Sequence, residues 1–223
     1  MSGRKTYFTV DDMPDIVPLF PLTGALLLPR GQMPLNIFEP RYLDMVDAAL
    51  KSDRIIGMIQ PETGQADETN TISLSRIGCA GRITQFADTG DGRYIISLTG
   101  LCRFKLVEEV PSLQKFRQGR IDSSSFADDF KEGLGEREVD RADMIRTLKA
   151  YVKAEDLDIN WAEVNTAPTE ALVNALAMMS PFGPREKQAL LEAVDLQSRA
   201  AILVAITEVE LARRDDGRSS PLQ

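Results

Sequence analysis

The stretch RYIISLTGLCRFKLVEEV, Arg93 to Val110, decides the fold class of the first half of this chain. Tyr94, Ile96 and Leu98 fall on one face of an extended segment, and Phe104 and Leu106 resume the pattern after a break at Gly100. Strict alternation of this kind marks a strand with one face in a core. Asp91-Gly92, just ahead of it, is a hairpin turn signal. Outward from this strand the pattern repeats in shorter pieces. Ile16 to Phe20, Ala25 to Leu28 and Ile55 to Ile59 are apolar runs between Pro and Gly punctuation, and each reads as a buried strand. Six or more short strands, with turns every 8–12 residues or so, predict a small closed or nearly closed barrel. Pro18, Pro21, Pro29 and Pro34 cannot donate to a ladder, so their strands should be edge, bulged or short. One helix interrupts the strands. Pro40 suits its first position, and Tyr42, Leu43, Val46, Ala49 and Leu50 recur on one face.

From about Glu136 the apolar period changes to that of a helix. Met144, Ile145, Leu148, Tyr151 and Val152 form one stripe, and Leu172, Val173, Leu176 and Met179 form a second, with Pro168 near its start. Leu190, Leu191 and Val194 follow Gly183-Pro184, and Ile202, Leu203, Ile206 and Val209 follow an N-cap at Asp195. The prediction is an α+β chain, a barrel followed by a bundle of short helices. Between them, the polar and acidic DSSSFADDFKEGLGERE (Asp122 to Glu138) reads as a linker in which Asp128 and Asp129 are solvated. The ends, residues 1–13 and 213–223, read as flexible tails.

Composition narrows the chemistry. The 223 residues include no histidine, which removes Ser-His-Asp and Cys-His nucleophile systems, His metal ligands and His pH switches. The 26 Lys and Arg against 34 Asp and Glu leave a net charge of −8, a poor match to nucleic acid. That charge is divided. Arg76 to Arg120 holds eight cations and four acids, while Asp122 to Glu163 holds six cations and twelve acids. The first stretch reads as solvated outward positions of alternating strands more readily than as a cationic ligand face. Cys79 and Cys102 read as reduced, packed thiols of a cytoplasmic protein, and no run approaches a membrane span. The sequence has no Walker A loop, no G-x-S-x-G turn, no calcium loop and no zinc ligand set. Pro18-Leu-Phe-Pro21 matches the polyproline spacing, but without a neighbouring basic residue it reads as strand.

Several segments, in order, carry a resemblance. Pro18-Leu-Phe-Pro-Leu22, Leu28-Pro-Arg-Gly31 and Pro34-Leu-Asn-Ile-Phe-Glu-Pro-Arg-Tyr42 are similar to the N-terminal substrate-binding domain of the ATP-dependent protease Lon. Ile77-Gly-Cys-Ala-Gly-Arg-Ile83, Leu98 to Leu106, and Arg185-Glu-Lys-Gln-Ala-Leu-Leu-Glu192 with Asp195 to Leu203 extend the likeness over about Pro14 to Leu211. Arg199 stands in the family's Arg position, with Ala200 where Leu is usual. The resemblance implies a PUA-like pseudo-barrel over 14–121 with one inserted helix, a linker over 122–135 and a helical bundle over 136–212.

It also implies a role. Neither the P-loop nor a protease segment is present, so the expectation is a stand-alone, non-catalytic, cofactor-free polypeptide-binding or adaptor protein of the cytoplasm. Its partners would be unfolded or degron-bearing polypeptides and Lon itself. The alternative is a PUA-like small-ligand or RNA-binding module, which the low aromatic content disfavours. The residues expected to bind are Met33, Pro34, Leu35, Phe38, Glu39, Arg41 and Tyr42. The same residues also suit a purely structural role, with Phe38 and Tyr42 in the core and Glu39 paired to Arg41 at the helix start.

Overall fold

A computed structural model describes residues 6–62, 72–156 and 158–218. The chain divides into two units, one of residues 1–132 and 182–191, the other of residues 133–181 and 192–223. The first is built on six strands: β1 (Ile16–Pro21), β2 (Gln32–Ile37), β3 (Ile55–Ile59), β4 (Ile77–Asp88), β5 (Tyr94–Glu109) and β6 (Gln118–Asp122). Their order is β2-β5-β4-β3-β1-β6, and β6 pairs back onto β5. The five strands other than β2 therefore form a closed ring. All pairs are antiparallel except β1 with β3, whose connection carries β2 and helix α1 (Pro40–Leu50). β5 has two partners along one edge. Residues 94–99 pair with β2, and residues 105–109 pair with β6. Pro34 sits in the outermost strand, as its missing donor requires.

Inside the ring Phe104 is fully buried among Val17, Leu19, Ile55, Ala80 and Ile121. Gly78 makes room for it, because a Cβ there would meet Phe104 Cζ at 2.4 Å and the Met58 carbonyl oxygen at 2.6 Å. Large side chains facing small ones fill the taper of a small barrel. Tyr7, expected in a flexible tail, is buried in this cluster, and its hydroxyl donates to the Asp53 carbonyl at 2.9 Å. Residues 1–5 of the expected N-terminal tail lie outside the described residues.

Leu26, Leu27 and Leu28 are buried as expected, but they form no strand. They lie between Gly24, at φ 73°, and a turn at Leu28–Gly31. In that turn Gly31 N–H donates to the Leu28 carbonyl at 2.9 Å, Pro29 takes the second position and Arg30 the third at φ 62°. Pro followed by a positive φ is type II turn geometry, usually given to glycine or asparagine in the third position. Here Arg30 is held there by its guanidinium, which donates to the Asp129 carbonyl at 2.5 Å.

The expected linker is partly structure. Ser124–Phe130 forms 3-10 turns, and Asp129, expected as solvated charge, is only 7% exposed. Arg103 of β5 draws it in. The Arg103 guanidinium donates to both Asp129 carboxylate oxygens at 2.8–3.2 Å, and the Arg103 backbone N–H donates to Oδ2 at 2.8 Å. The ring of Phe126 lies 4.8 Å from the guanidinium carbon.

Both cysteines are free and buried. Burial, and secondarily the Asp129 carboxylate, push the Cys102 thiol up to about 12, with Arg103 opposing. Because the folded value lies above the unfolded one, this contribution to stability is complete below about pH 8.5 and is lost as pH rises towards 12. We expect no labelling of either cysteine by a thiol reagent at pH 8 until urea unfolds the protein, and a shallower alkaline loss of stability in Cys102→Ala. Rapid labelling of the native chain would contradict this burial.

The second unit holds α2 (Arg141–Ala154), α3 (Trp161–Thr166), α4 (Thr169–Met179) and all of α6 (Leu196–Arg218). Asp140 caps α2 by accepting from Asp143 N–H at 2.9 Å, and Asp195 accepts from Ser198 N–H at 2.7 Å at the start of α6. Buried Met144, Leu148, Leu172, Val173, Ala177 and Leu203 supply its core. Two expectations change. α6 is not short, since it continues to Arg218 through part of the expected C-terminal tail; residues 219–223 lie outside the described residues. α5 (Pro184–Glu192), expected in the bundle, belongs to the barrel unit through Leu191. Buried Gln60 explains why. It donates to the Pro184 carbonyl at 3.0 Å and to Gln188 at 3.2 Å, while Gln188 donates to the Ile77 carbonyl at 3.1 Å.

Candidate functional site

The segment from β2 into α1 combines a free strand edge with an exposed aromatic residue. Among the described residues β2 pairs only with β5. Arg30 N–H donates to the Gly100 carbonyl and Gly100 N–H to the Gly31 carbonyl, which fixes the phase of the ladder. Antiparallel alternation then turns Met33, Leu35 and Ile37 towards β5 for backbone exchange, and leaves the backbone groups of Gln32, Pro34 and Asn36 on the free edge. That edge offers three carbonyls and two N–H groups, because Pro34 has none. Such an edge accepts a short extended peptide, while the proline blunts runaway strand addition.

The side chains sort into two kinds. Met33 and Leu35 are half-buried and Pro34 is exposed. Phe38, one residue past the strand, is 64% exposed. On the neighbouring strand Ile95, paired with Asn36, is also largely exposed. Tyr42 is instead a core residue, 8% exposed, with its ring 4.4 Å from that of Phe20. Burial raises its hydroxyl above the ordinary value, and the neighbouring Arg41 charge works against that shift. Arg41 donates from Nε to Glu39 Oε2 at 2.9 Å, and its guanidinium lies 4.5 Å from the Tyr42 ring centre. Glu39 occupies the N-cap position with extended backbone, and its carbonyl accepts from Tyr42 and Leu43. Glu39, Arg41 and Tyr42 therefore fix the start of α1. Phe38, expected as a possible core side chain, is left outside.

The charged stretch on the barrel resolves into pairs. Five of its eight cations meet carboxylates: Arg93 with Asp91, Arg103 with Asp129, Lys115 with Asp44, Arg117 with Glu109 and Arg120 with Glu108. Internal neutralisation of this kind leaves little counterion release to drive nucleic-acid binding. Among the described residues, no group of three or more His, Cys, Asp or Glu side chains could hold a metal ion, and no helix is long and apolar enough to cross a membrane.

The sequence reading missed an apolar cavity in the helical unit. α3 contributes to its wall and was too short to register as a periodic segment. Met179, the last residue of the second apolar stripe, lines that cavity and is 83% exposed.

A family model described as the ATP-dependent protease La (LON) substrate-binding domain matches residues 16–208. Lon protease 2 of Myxococcus xanthus is 26% identical over 199 residues, covering 88% of this chain and 24% of that protein. Lon protease 2 of Sorangium cellulosum is 27% identical over 218 residues, covering 94% and 27%. The chain spans about a quarter of the length of the curated relatives it matches. Two solved structures share the fold. A Lon N-terminal domain protein from Xanthomonas campestris gives a TM-score of 0.59 at 21% identity, covering 85% of this chain and 97% of its own. The N-terminal domain of Mycobacterium avium complex Lon protease gives 0.63 at 19% identity, covering 86% and 98%.

Proposed function

Since the chain belongs to the LON substrate-binding domain family, we propose that it is a non-catalytic polypeptide-binding protein that captures unfolded or degron-bearing segments. The observation that carries this reading is the free β2 edge ending in the exposed Phe38. Main-chain groups of Gln32, Pro34 and Asn36 give sequence-tolerant affinity, and Phe38 gives a preference for apolar side chains. Met33 and Leu35 support the strand from its inner face, while Glu39, Arg41 and Tyr42 hold Phe38 in place. An adaptor role adds a Lon protease as the partner that consumes the captured chain. The lack of any histidine and the raised Cys102 thiol support a protein without a catalytic step. Two free cysteines support a reducing compartment, the cytoplasm.

Fluorescence anisotropy with a labelled, permanently unfolded polypeptide such as reduced carboxymethylated α-lactalbumin tests the reading. We expect saturable binding of the unfolded form and none of the native form. Phe38→Ala should weaken it about tenfold, near 1.4 kcal/mol, with an unchanged melting temperature because the side chain is exposed. Equal binding of native and unfolded protein, or no binding of either, would remove the proposal. Co-purification with Lon under heat stress tests the adaptor role separately.

A further inference from the structure

The helical unit surrounds an apolar cavity of about 280 Å³. Its wall is shared by four helices, with Leu148 and Val152 from α2, Val164 from α3, Leu176 from α4, and Leu203 and Val204 from α6. No charged side chain lines it. Thr147 of α2 also belongs to the wall, is 5% exposed, and its hydroxyl has no hydrogen-bond partner among the described residues. A buried hydroxyl left unpaired costs roughly 1–3 kcal/mol, which a native core does not carry without compensation.

From these features we propose that the cavity binds a small, uncharged molecule with an apolar body and one hydrogen-bonding group, and that Thr147 is the residue that pairs with that group. Size sets the body. An apolar cavity of about 150 Å³ accepts benzene, so this one holds a two-ring aromatic or an aliphatic chain of similar bulk. Charge is excluded because nothing in the wall would compensate an ion taken out of water. A polypeptide is a poorer occupant. Each backbone amide carried inside needs a partner, and the nearly unbroken apolar wall offers few. A single polar group needs only one, and threonine in a helix divides between two χ1 rotamers, which lets its hydroxyl turn to meet a ligand. The solvent-exposed Met179 marks where the cavity opens, and a methionine there adapts to different shapes. The site lies within one unit and is independent of the β2 edge, so neither proposal rests on the other.

2-Naphthol is a suitable probe, with naphthalene as the partner lacking the hydroxyl. Titration of the full chain, followed by probe fluorescence and by the rise in melting temperature, should show saturable binding of one 2-naphthol. Thr147→Val keeps the shape and removes the hydroxyl. It should weaken 2-naphthol about five- to tenfold, the worth of one hydrogen bond, and leave naphthalene unchanged. Val204→Phe, or Leu176→Phe should the first variant not fold, fills the cavity and should abolish binding of both probes, while the affinity for unfolded polypeptide stays intact. The proposal is overturned by an absence of saturable 2-naphthol binding, by binding that survives the filled cavity, or by a Thr147→Val protein that keeps the preference for 2-naphthol. Displacement of the probe by unfolded polypeptide would also overturn it, assigning the cavity to peptide side chains instead.

Discussion

Asp129→Ala is expected to destabilise the barrel unit by about 3–5 kcal/mol, the usual result of removing one partner of a buried ion pair. The size follows from what is left behind. Arg103 remains charged in the interior, having lost two carboxylate oxygens at 2.8–3.2 Å and the acceptor of its own backbone N–H. It keeps a hydrogen bond to the Leu191 carbonyl at 3.2 Å. Urea unfolding should show a lower midpoint at unchanged slope, since the folded and unfolded surfaces change little. The double replacement Arg103→Met with Asp129→Leu separates the cost of an orphaned charge from the worth of the pair. It should recover most of the loss, because apolar pairs of similar volume often substitute for buried ion pairs without net cost. A single mutant within about 0.5 kcal/mol of wild type would show that Arg103 reaches water or another carboxylate once Asp129 is gone.

Gly100→Ala should cost at least about 3 kcal/mol, at or beyond the upper end for overpacking, and for a different reason. A Cβ on Gly100 would lie 2.0 Å from the Leu28 carbonyl oxygen, 2.8 Å from its carbon and 3.3 Å from Pro29 Cα. These are backbone atoms of a turn already strained at Arg30, so they cannot swing aside as the end of a side chain would. Any retreat also lengthens the paired bonds between Gly100 and Arg30 and Gly31, both under 3 Å. Gly90→Ala supplies the contrast. It has open space around the new methyl and a positive φ of 78°, so it should cost only about 1–2 kcal/mol of backbone strain. Calorimetric melting of the two variants orders them. Equal losses would mean that conformation, rather than the close approach to Leu28, is what requires glycine at position 100.

These two residues also mark where the sequence stopped being legible. Alternation in Tyr94 to Leu98 and the apolar run Ile55 to Ile59 located β5 and β3, because a strand's period is written in adjacent residues. Pro40 located the start of α1 for the same local reason. Leu26 to Leu28 looked like another strand, and only their approach to Gly100, more than seventy positions away, makes them a packed loop. Asp129 looked solvated because its neighbours are polar, and its partner Arg103 lies 26 residues earlier. α5 carries a helical period that does not reveal which unit it joins; hydrogen bonds with Gln60, Ile77 and Arg103, all distant in sequence, tie it to the barrel. The candidate site divides the same way. Tyr42 and the Glu39–Arg41 pair were open to a structural role from sequence. The exposure of Phe38 depends on where α1 turns away from the sheet, which no local pattern records.

The two successive partners of β5 make β2 expendable to closure. Five strands complete the ring without it, and β6 alone seals the far half of β5. Between the Leu28–Gly31 turn and the start of α1, Gln32 to Ile37 pair with β5 without taking part in the ring around Phe104. Release of β2 would be a sub-global opening, at the cost of its ladder with β5 and of the burial of Ile37. Such an opening bares the inner edge of β5 as well as both edges of β2. A chain that replaced β2 there, rather than lining up beside it, would have to put an apolar side chain in the place of Ile37 to keep the core dry.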